Sequence, residues 1–228
     1  MSSPFGPLSV ESPAPGLAVF QPQRGYRWGV EVYALVGFAL GIGTPSPMMV
    51  PARVLELGAG SGIVSLLLAS QGCRVRGWER DPEWVALARR SLRRSPAARG
   101  RVRFSVRDVR SPGNAAADLV VTNPPWFDPR AGPISPDVRK ASARTMLHGT
   151  VDEFVAVGLA AAPRVCVVTR AERLAVLCLD DAHVARRAWL PGGGVGVVEL
   201  RRGAGTTVEE ALDLPAIYAA LRYQPGTM

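Results

Sequence analysis

Residues Arg53-Val54-Leu55-Glu56-Leu57 run directly into Gly58-Ala59-Gly60-Ser61-Gly62, and that loop opens into a mainly apolar stretch from Ile63 to Ser70. A buried strand, a tight turn and a buried helix in immediate succession leave few architectures open. A strand that feeds a helix reaches its next partner by a crossover, and repeated crossovers build a mostly parallel sheet with helices on both faces. The glycines let the backbone turn sharply and approach a ligand with no Cβ in the way. Ligand sites in such sheets lie at the carboxyl ends of the strands. The loop is therefore both a fold marker and a candidate site.

The alternation continues downstream. Cys73–Trp78 reads as a second strand, and Asp81-Pro82 supplies an N-cap and a first-turn proline for a helix to about Leu92. Arg101–Arg107 alternates Val102, Phe104 and Val106 with arginines, a strand with one polar face. Ala117–Thr122 is a fourth strand, ending in Asn123-Pro124-Pro125-Trp126. A long polar loop, a helix from about Val151 and a strand over Arg164–Thr169 follow. Weaker signals predict a helix near Ala171–Asp180, a strand near Val195–Leu200 and a C-terminal piece containing Ala216–Tyr223. Upstream, the Ser- and Pro-rich residues 1–18 predict a flexible leader. Residues 19–50, with an apolar helix over Val32–Leu40, predict a substrate-side cap on a core of residues 51–228, the two forming one domain.

Hydrophobic content of 47% with 20% charged residues excludes a disordered chain. Cys73, Cys166 and Cys178 have no CxxC spacing, so neither a zinc site nor a disulfide framework is expected. All three fall in apolar runs, which predicts reduced core cysteines and a cytoplasmic setting. The uncharged stretch Val32–Ala52 is broken by glycines and prolines and predicts no membrane span. Neither His148 nor His183 stands in a metal-ligand spacing, so no metal is expected.

The formal charge is +8, and all but one of the 27 basic residues are arginine. Arg89 to Arg110 contains nine arginines and a single acid, Asp108. A local basic field attracts phosphate backbones, although a solvated helix face has the same composition.

Three chemically distinctive segments stand at strand ends. GxGxG alone is moderately specific; a dinucleotide site prefers GxGxxG/A. Glu79, about 20 residues beyond the glycines, suits both hydroxyls of a ribose, or is a surface acid after a strand. Asp108 suits the amino group of an adenine, or is an N-cap or a partner for Arg107 or Arg110.

Taken in order, Gly58–Gly62, Glu79, Asp108 and Asn123–Trp126 resemble the class I S-adenosylmethionine-dependent methyltransferases. That resemblance implies a Rossmann-like α/β fold whose seven-stranded, mostly parallel sheet ends in an antiparallel hairpin. It implies S-adenosyl-L-methionine as cofactor, held by Glu56, Gly58, Ala59, Gly60, Gly62, Glu79, Asp81, Asp108, Val109 and Asn123. Asn123, Pro124, Pro125 and Trp126 are the implied catalytic group. An exocyclic amine is a poor nucleophile because its lone pair is delocalised into the ring. The Asn123 side-chain carbonyl and the Pro124 carbonyl would accept its N–H bonds and favour a pyramidal nitrogen. Two prolines hold the acceptors rigid, and Trp126 offers a stacking face.

Gln21-Pro22-Gln23-Arg24-Gly25-Tyr26-Arg27-Trp28 with Glu31, and Phe127, Ser135-Pro136, Ala143-Arg144 and Val151–Phe154, are similar to the bacterial tRNA adenine-N6 methyltransferase family. The likeness covers about Val19 to Arg173. It implies methyl transfer to an adenine N6 in RNA, with tRNA favoured. Arg24, Tyr26, Arg27, Trp126, Phe127 and Arg144 are the expected substrate contacts. Two rivals stand beside it: a same-fold enzyme acting on a protein glutamine or small molecule, and a non-catalytic RNA-binding module. In the expected strand order, the Arg101–Arg107 strand lies at one sheet edge, with its start opposite the catalytic end.

Overall fold

The computed structural model describes residues 4–24, 27–46, 48–111, 115–127, 130, 141 and 145–222. Strands β1 (Leu8–Glu11) and β2 (Val19–Pro22) form an antiparallel ribbon. Helix α1 (Val30–Leu40) leads to β3 (Arg53–Leu57), α2 (Ile63–Ser70), β4 (Arg74–Glu79), α3 (Pro82–Arg93), β5 (Val102–Val106) and β6 (Leu119–Thr122). Then come α4 (Val151–Ala161), β7 (Val165–Arg170), the one-turn α5 (Ala171–Leu174), β8 (Ala182–Trp189), β9 (Val195–Arg202), β10 (Val208–Glu210) and α6 (Leu214–Leu221).

The main sheet has the order β10-β8-β9-β7-β6-β3-β4-β5. Antiparallel pairing within it is confined to β7–β9 and β8–β9. From β3 the chain winds outward through β4 to the edge strand β5, then returns to β6 on the other side of β3. That reversal opens a crevice at the carboxyl ends of β3 and β6. Local chemistry sets the helix starts. Asp81 accepts from the Glu83 amide at 2.8 Å with Pro82 in the first turn, and Thr150 and Glu153 form a reciprocal capping box.

One core layer gathers α1, α2 and α6 against one face of the sheet, around Tyr33, Leu35, Phe38, Leu66, Leu67 and Ile217. On the opposite face α4 packs on β6, β7 and β9, and its Phe154 joins Leu55, Leu57 and Trp78 in one cluster. Helix α1 is buried from Val32 to Leu40 and belongs to the first layer.

Several expectations need correction. The sheet has eight strands, not seven, because β10 adds in parallel to β8. Strand β8 is hidden in the sequence because Arg186 sits at a buried position. There it pairs with Glu199 at 2.7 Å and Glu210 at 3.1 Å and donates to the Phe38 carbonyl. Arg164 also reaches Glu199, so the buried carboxylate is multiply satisfied and held down to about 2. Breaking such a network would cost about 3–5 kcal/mol.

The described part of the flexible leader, from Pro4 onward, carries β1, and its Ala14 and Leu17 are buried in the core. Two buried serines hold this region: Ala18 N donates to Ser95 Oγ at 2.9 Å and Phe20 N to Ser91 Oγ at 3.0 Å. The helix expected over Ala171–Asp180 stops after one turn. Cys73 and Cys166 are buried, but Cys178 is exposed, because its apolar run lies on the irregular segment after α5. No helix among the described residues is long and apolar enough to cross a membrane.

Candidate active site

A pocket opens at the carboxyl ends of β3, β4 and β6. Its floor is the glycine loop. The amides of Gly58 and Ala59 both donate to the Trp78 carbonyl, at 2.9 and 3.0 Å, which ties the loop to the end of β4. Gly62 has φ +86°, and a Cβ there would meet Phe104 Cζ at 2.6 Å and Ala88 Cβ at 3.1 Å. Only glycine satisfies both the left-handed backbone and the close packing of α3 and β5 on the loop. At Gly60 a Cβ would meet nothing within 4 Å.

Acids ring this floor. Glu79 accepts from Gly60 N and Asp81 N, each at 3.0 Å, and burial pushes its carboxyl upward. A carboxylate has about four acceptor positions, so two remain for a ligand diol. Glu56 is buried deeper, bonded to Ser65 N at 3.0 Å and to Ser65 Oγ, and desolvation pushes it up to about 8.

Asp108 lines the pocket, and its carboxylate is gripped by Arg110 through Nε at 3.0 Å and Nη2 at 2.7 Å. Chiefly that hydrogen bonding holds it down to about 2. The Arg110 pairing, one of the alternatives the sequence leaves open, is thus present, and an adenine amino group would share the carboxylate with it. Val109 is buried at the same rim.

Asn123, Pro124 and Pro125 line the opposite wall. Thr122 Oγ1 donates to the Leu57 carbonyl at 2.9 Å, which locks the end of β6 beside the start of the glycine loop. Trp126 turns away: it packs against the main core cluster and is absent from the pocket wall, so the expected stacking face is not presented there. Phe127 lies under the Arg170 guanidinium at 5.5 Å, and Met146 N donates to its carbonyl at 2.9 Å. That stitch brings His148 and Gly149 to the pocket. His148 is held below its ordinary value by desolvation and by the Arg80 and Arg110 cations.

Of the other expected substrate contacts, Arg24 is exposed and off the pocket wall. Arg27 pairs with Glu11 and donates to the Pro22 carbonyl at 3.3 Å. The β1–β2 ribbon supplies these nearer acceptors, so Arg27 is not directed at the pocket. Tyr26 and Arg144 lie outside the described residues, as do Gly25, Ser135, Pro136, Arg139, Lys140 and Ala143. Among the described residues no group of three or more His, Cys, Asp or Glu is placed to hold a metal.

Two wall residues escape a reading of the sequence alone. Gln21 Oε1 accepts from Trp28 N at 3.2 Å, while Gln21 Nε2 and Trp28 Nε1 are buried donors with no partner among the described residues. Unmade buried hydrogen bonds are costly, and two donors beside acidic acceptors match a zwitterionic ligand with a carboxylate, as S-adenosylmethionine is. Both residues stand in the Gln21–Trp28 segment that resembles the tRNA enzymes. Their place on the wall depends on how β2 packs against α3.

Residues 46–148 match the family described as methyltransferase small domain. The chain is 36% identical over 80 residues to ribosomal RNA small subunit methyltransferase C of Alcanivorax borkumensis, covering 35% of this chain and 24% of that one. It is 32% identical over 106 residues to the tRNA1(Val) (adenine(37)-N6)-methyltransferase of Tolumonas auensis (45% and 44%). It is 36% identical over 119 residues to the release factor glutamine methyltransferase of Geobacter sulfurreducens (49% and 40%). The matches thus span less than half the length of these relatives. Magnesium protoporphyrin IX methyltransferase from Synechocystis PCC 6803, solved with bound SAM, shares the fold at TM-score 0.54 and 17% identity, over 76% of this chain and 78% of that one. Residues 46–148 are thus similar to a methyltransferase domain, and the chain shares the Rossmann-like α/β fold of the solved neighbour.

Proposed function

We propose that the chain methylates the N6 amine of an adenine in RNA, with tRNA the favoured polymer and the cytoplasm its setting. One observation carries the reading: Asn123, Pro124 and Pro125 line the same pocket as the glycine loop, and Thr122 ties the end of β6 beside that loop. The bound cofactor supplies an electrophilic methyl group. Glu79 accepts from its ribose, and Gln21 Nε2 and Trp28 Nε1 serve its carboxylate. The Asn123 side-chain carbonyl and the Pro124 carbonyl accept the two N–H bonds of the amine. Their preorganisation localises the nitrogen lone pair where positive charge develops. No strong general base is required, because an alkylated amine loses its proton readily to water. A base splayed from a single-stranded loop would reach this pocket, whereas a stacked one would not.

Two of the three relatives act on RNA by name, and the third on a glutamine. A glutamine amide is also planar, so the peptide reading is the one to test against. Purified protein is incubated with S-adenosylmethionine and tRNA lacking the mark, and the digested nucleosides are weighed by mass spectrometry. Parallel reactions receive ribosomal RNA and a glutamine-containing release-factor peptide. N6-methyladenine in tRNA is expected; methylated peptide with unmarked RNA overturns the reading.

A further inference from the structure

A second concavity, of about 310 Å³, lies on the face of β3, β4 and β5 away from α2 and α3, toward the amino ends of the strands. Arg53, Arg74, Arg76, Arg101 and Arg103 line it, with Ala115–Ala117 on one side. The sheet register creates the arrangement. Alternation puts Val75, Gly77 and Phe104 on the helix-covered face, so Arg74, Arg76 and Arg103 point the other way. Arg53 stands directly opposite Arg74, and Arg76 opposite Arg103. Like charges in directly opposed positions of neighbouring strands destabilise a sheet.

Arg53 is relieved by Asp118, at 2.9 Å, and Arg101 donates to the Gly72 carbonyl at 2.9 Å. Arg74, Arg76 and Arg103 have no ion pair or side-chain hydrogen bond among the described residues. Helix α4 packs chiefly on β6, β7 and β9, on the far side of β3 from this edge. The row also continues to the pocket: Arg107 follows β5 and Arg80 follows β4, and both line the pocket rim. From Arg74 to Glu79 the strand covers five residue steps, or about 17 Å.

We propose that this concavity is a docking site for RNA backbone phosphates. It would grip a folded RNA along the β4–β5 edge while the target base occupies the pocket. The inference rests on the RNA-methylation reading. Phosphate contacts of this kind set register and orientation without reading sequence. The groove lies about 17 Å from the rim, so a single-stranded fragment of about two or three nucleotides carrying the same adenine would fill the pocket and leave the groove empty.

The test uses the full chain. Arg76→Glu and Arg103→Glu alone each turn a like-charge pair into an opposite-charge pair, so the singles keep the sheet intact and control for the double variant. Binding of full-length tRNA and of the short fragment is followed by fluorescence anisotropy across a salt series. Methyl transfer and cofactor affinity are measured separately. The double variant is expected to weaken full-length tRNA binding and raise its KM at least tenfold at low salt. The slope of log affinity against log salt should fall by about 0.7–0.9 for each phosphate that the groove no longer holds. Unchanged kcat, cofactor affinity and binding of the short fragment complete the expected pattern. An unchanged slope and KM for full-length tRNA overturn the proposal, as does inorganic phosphate binding in the groove with tRNA affinity unaffected. If no RNA is methylated but the slope still drops, the docking site stands and the RNA-methylation reading falls.

Discussion

The two ends of strand β4 pose opposite electrostatic problems. At its carboxyl end Glu79, Asp81 and Asp108 are each engaged by a backbone amide or by Arg110. Toward its amino end Arg74 and Arg76 face other arginines across the sheet. A region with its charges satisfied is preorganised and changes little when a ligand arrives. One with charge left over gains from any anion that neutralises it. The first suits a cofactor pocket and catalysis; the second suits a salt-dependent grip on a polyanion.

Substitutions at the carboxyl end should have the largest effects. Asn123→Ala should lower the single-turnover methyl-transfer rate by about 10²–10³-fold, the loss typical of one preorganised acceptor or donor. Cofactor affinity, read by calorimetry, should stay within about threefold. Equal losses in rate and cofactor binding would make Asn123 a cofactor residue alone. Gly62→Val should abolish measurable cofactor binding and lower unfolding stability by about 1–3 kcal/mol, since it combines a forced left-handed φ with overpacking on Phe104. Denaturant unfolding checks the second half.

The amino-end variants come next, with a tenfold effect expected of the Arg76→Glu, Arg103→Glu pair. Neutralising Arg93, Arg94 and Arg99 instead should change tRNA affinity less than about twofold. These arginines lie at and after the end of α3, off the groove wall. A large effect there would move the docking surface from the sheet edge to the helix.

Glu56 supplies the pH-dependent comparison. Its carboxyl is raised from 4.5 to about 8 by desolvation, so between those values the folded protein holds a proton that the unfolded chain releases. Stability from this group therefore falls as pH rises through that window and levels off above about 8. Glu56→Gln should gain stability over the parent, by a margin that grows from pH 5 to pH 8. A margin independent of pH would mean that Glu56 is ionised in the fold.

Much of the cofactor half is legible in the chain itself. Strand β3, the glycine loop, α2 and the Asp81-Pro82 start of α3 are local features, decided by neighbours within a few residues. Pro124 and Pro125 belong to the same class, because a rigid strand end is written in the residues that form it. The substrate half is less legible. Arg27 and Trp126 read as contacts by type, but Glu11 draws one away and the core draws in the other. Strand β8 is obscured because Arg186 occupies a core position, which only the distant Glu199 and Glu210 make tolerable.

By itself the sequence determined the fold class, the glycine loop and the excess of arginine, all consequences of local turns, periodicity and composition. Only the tertiary structure decided which of those charges are free. Pairing depends on strand register: it leaves Arg76 facing Arg103 and Arg74 facing an Arg53 already held by Asp118. It also decided that Gln21 and Trp28 line the pocket with buried donors that have no partner among the described residues, because β2 is set against α3 only in the folded chain.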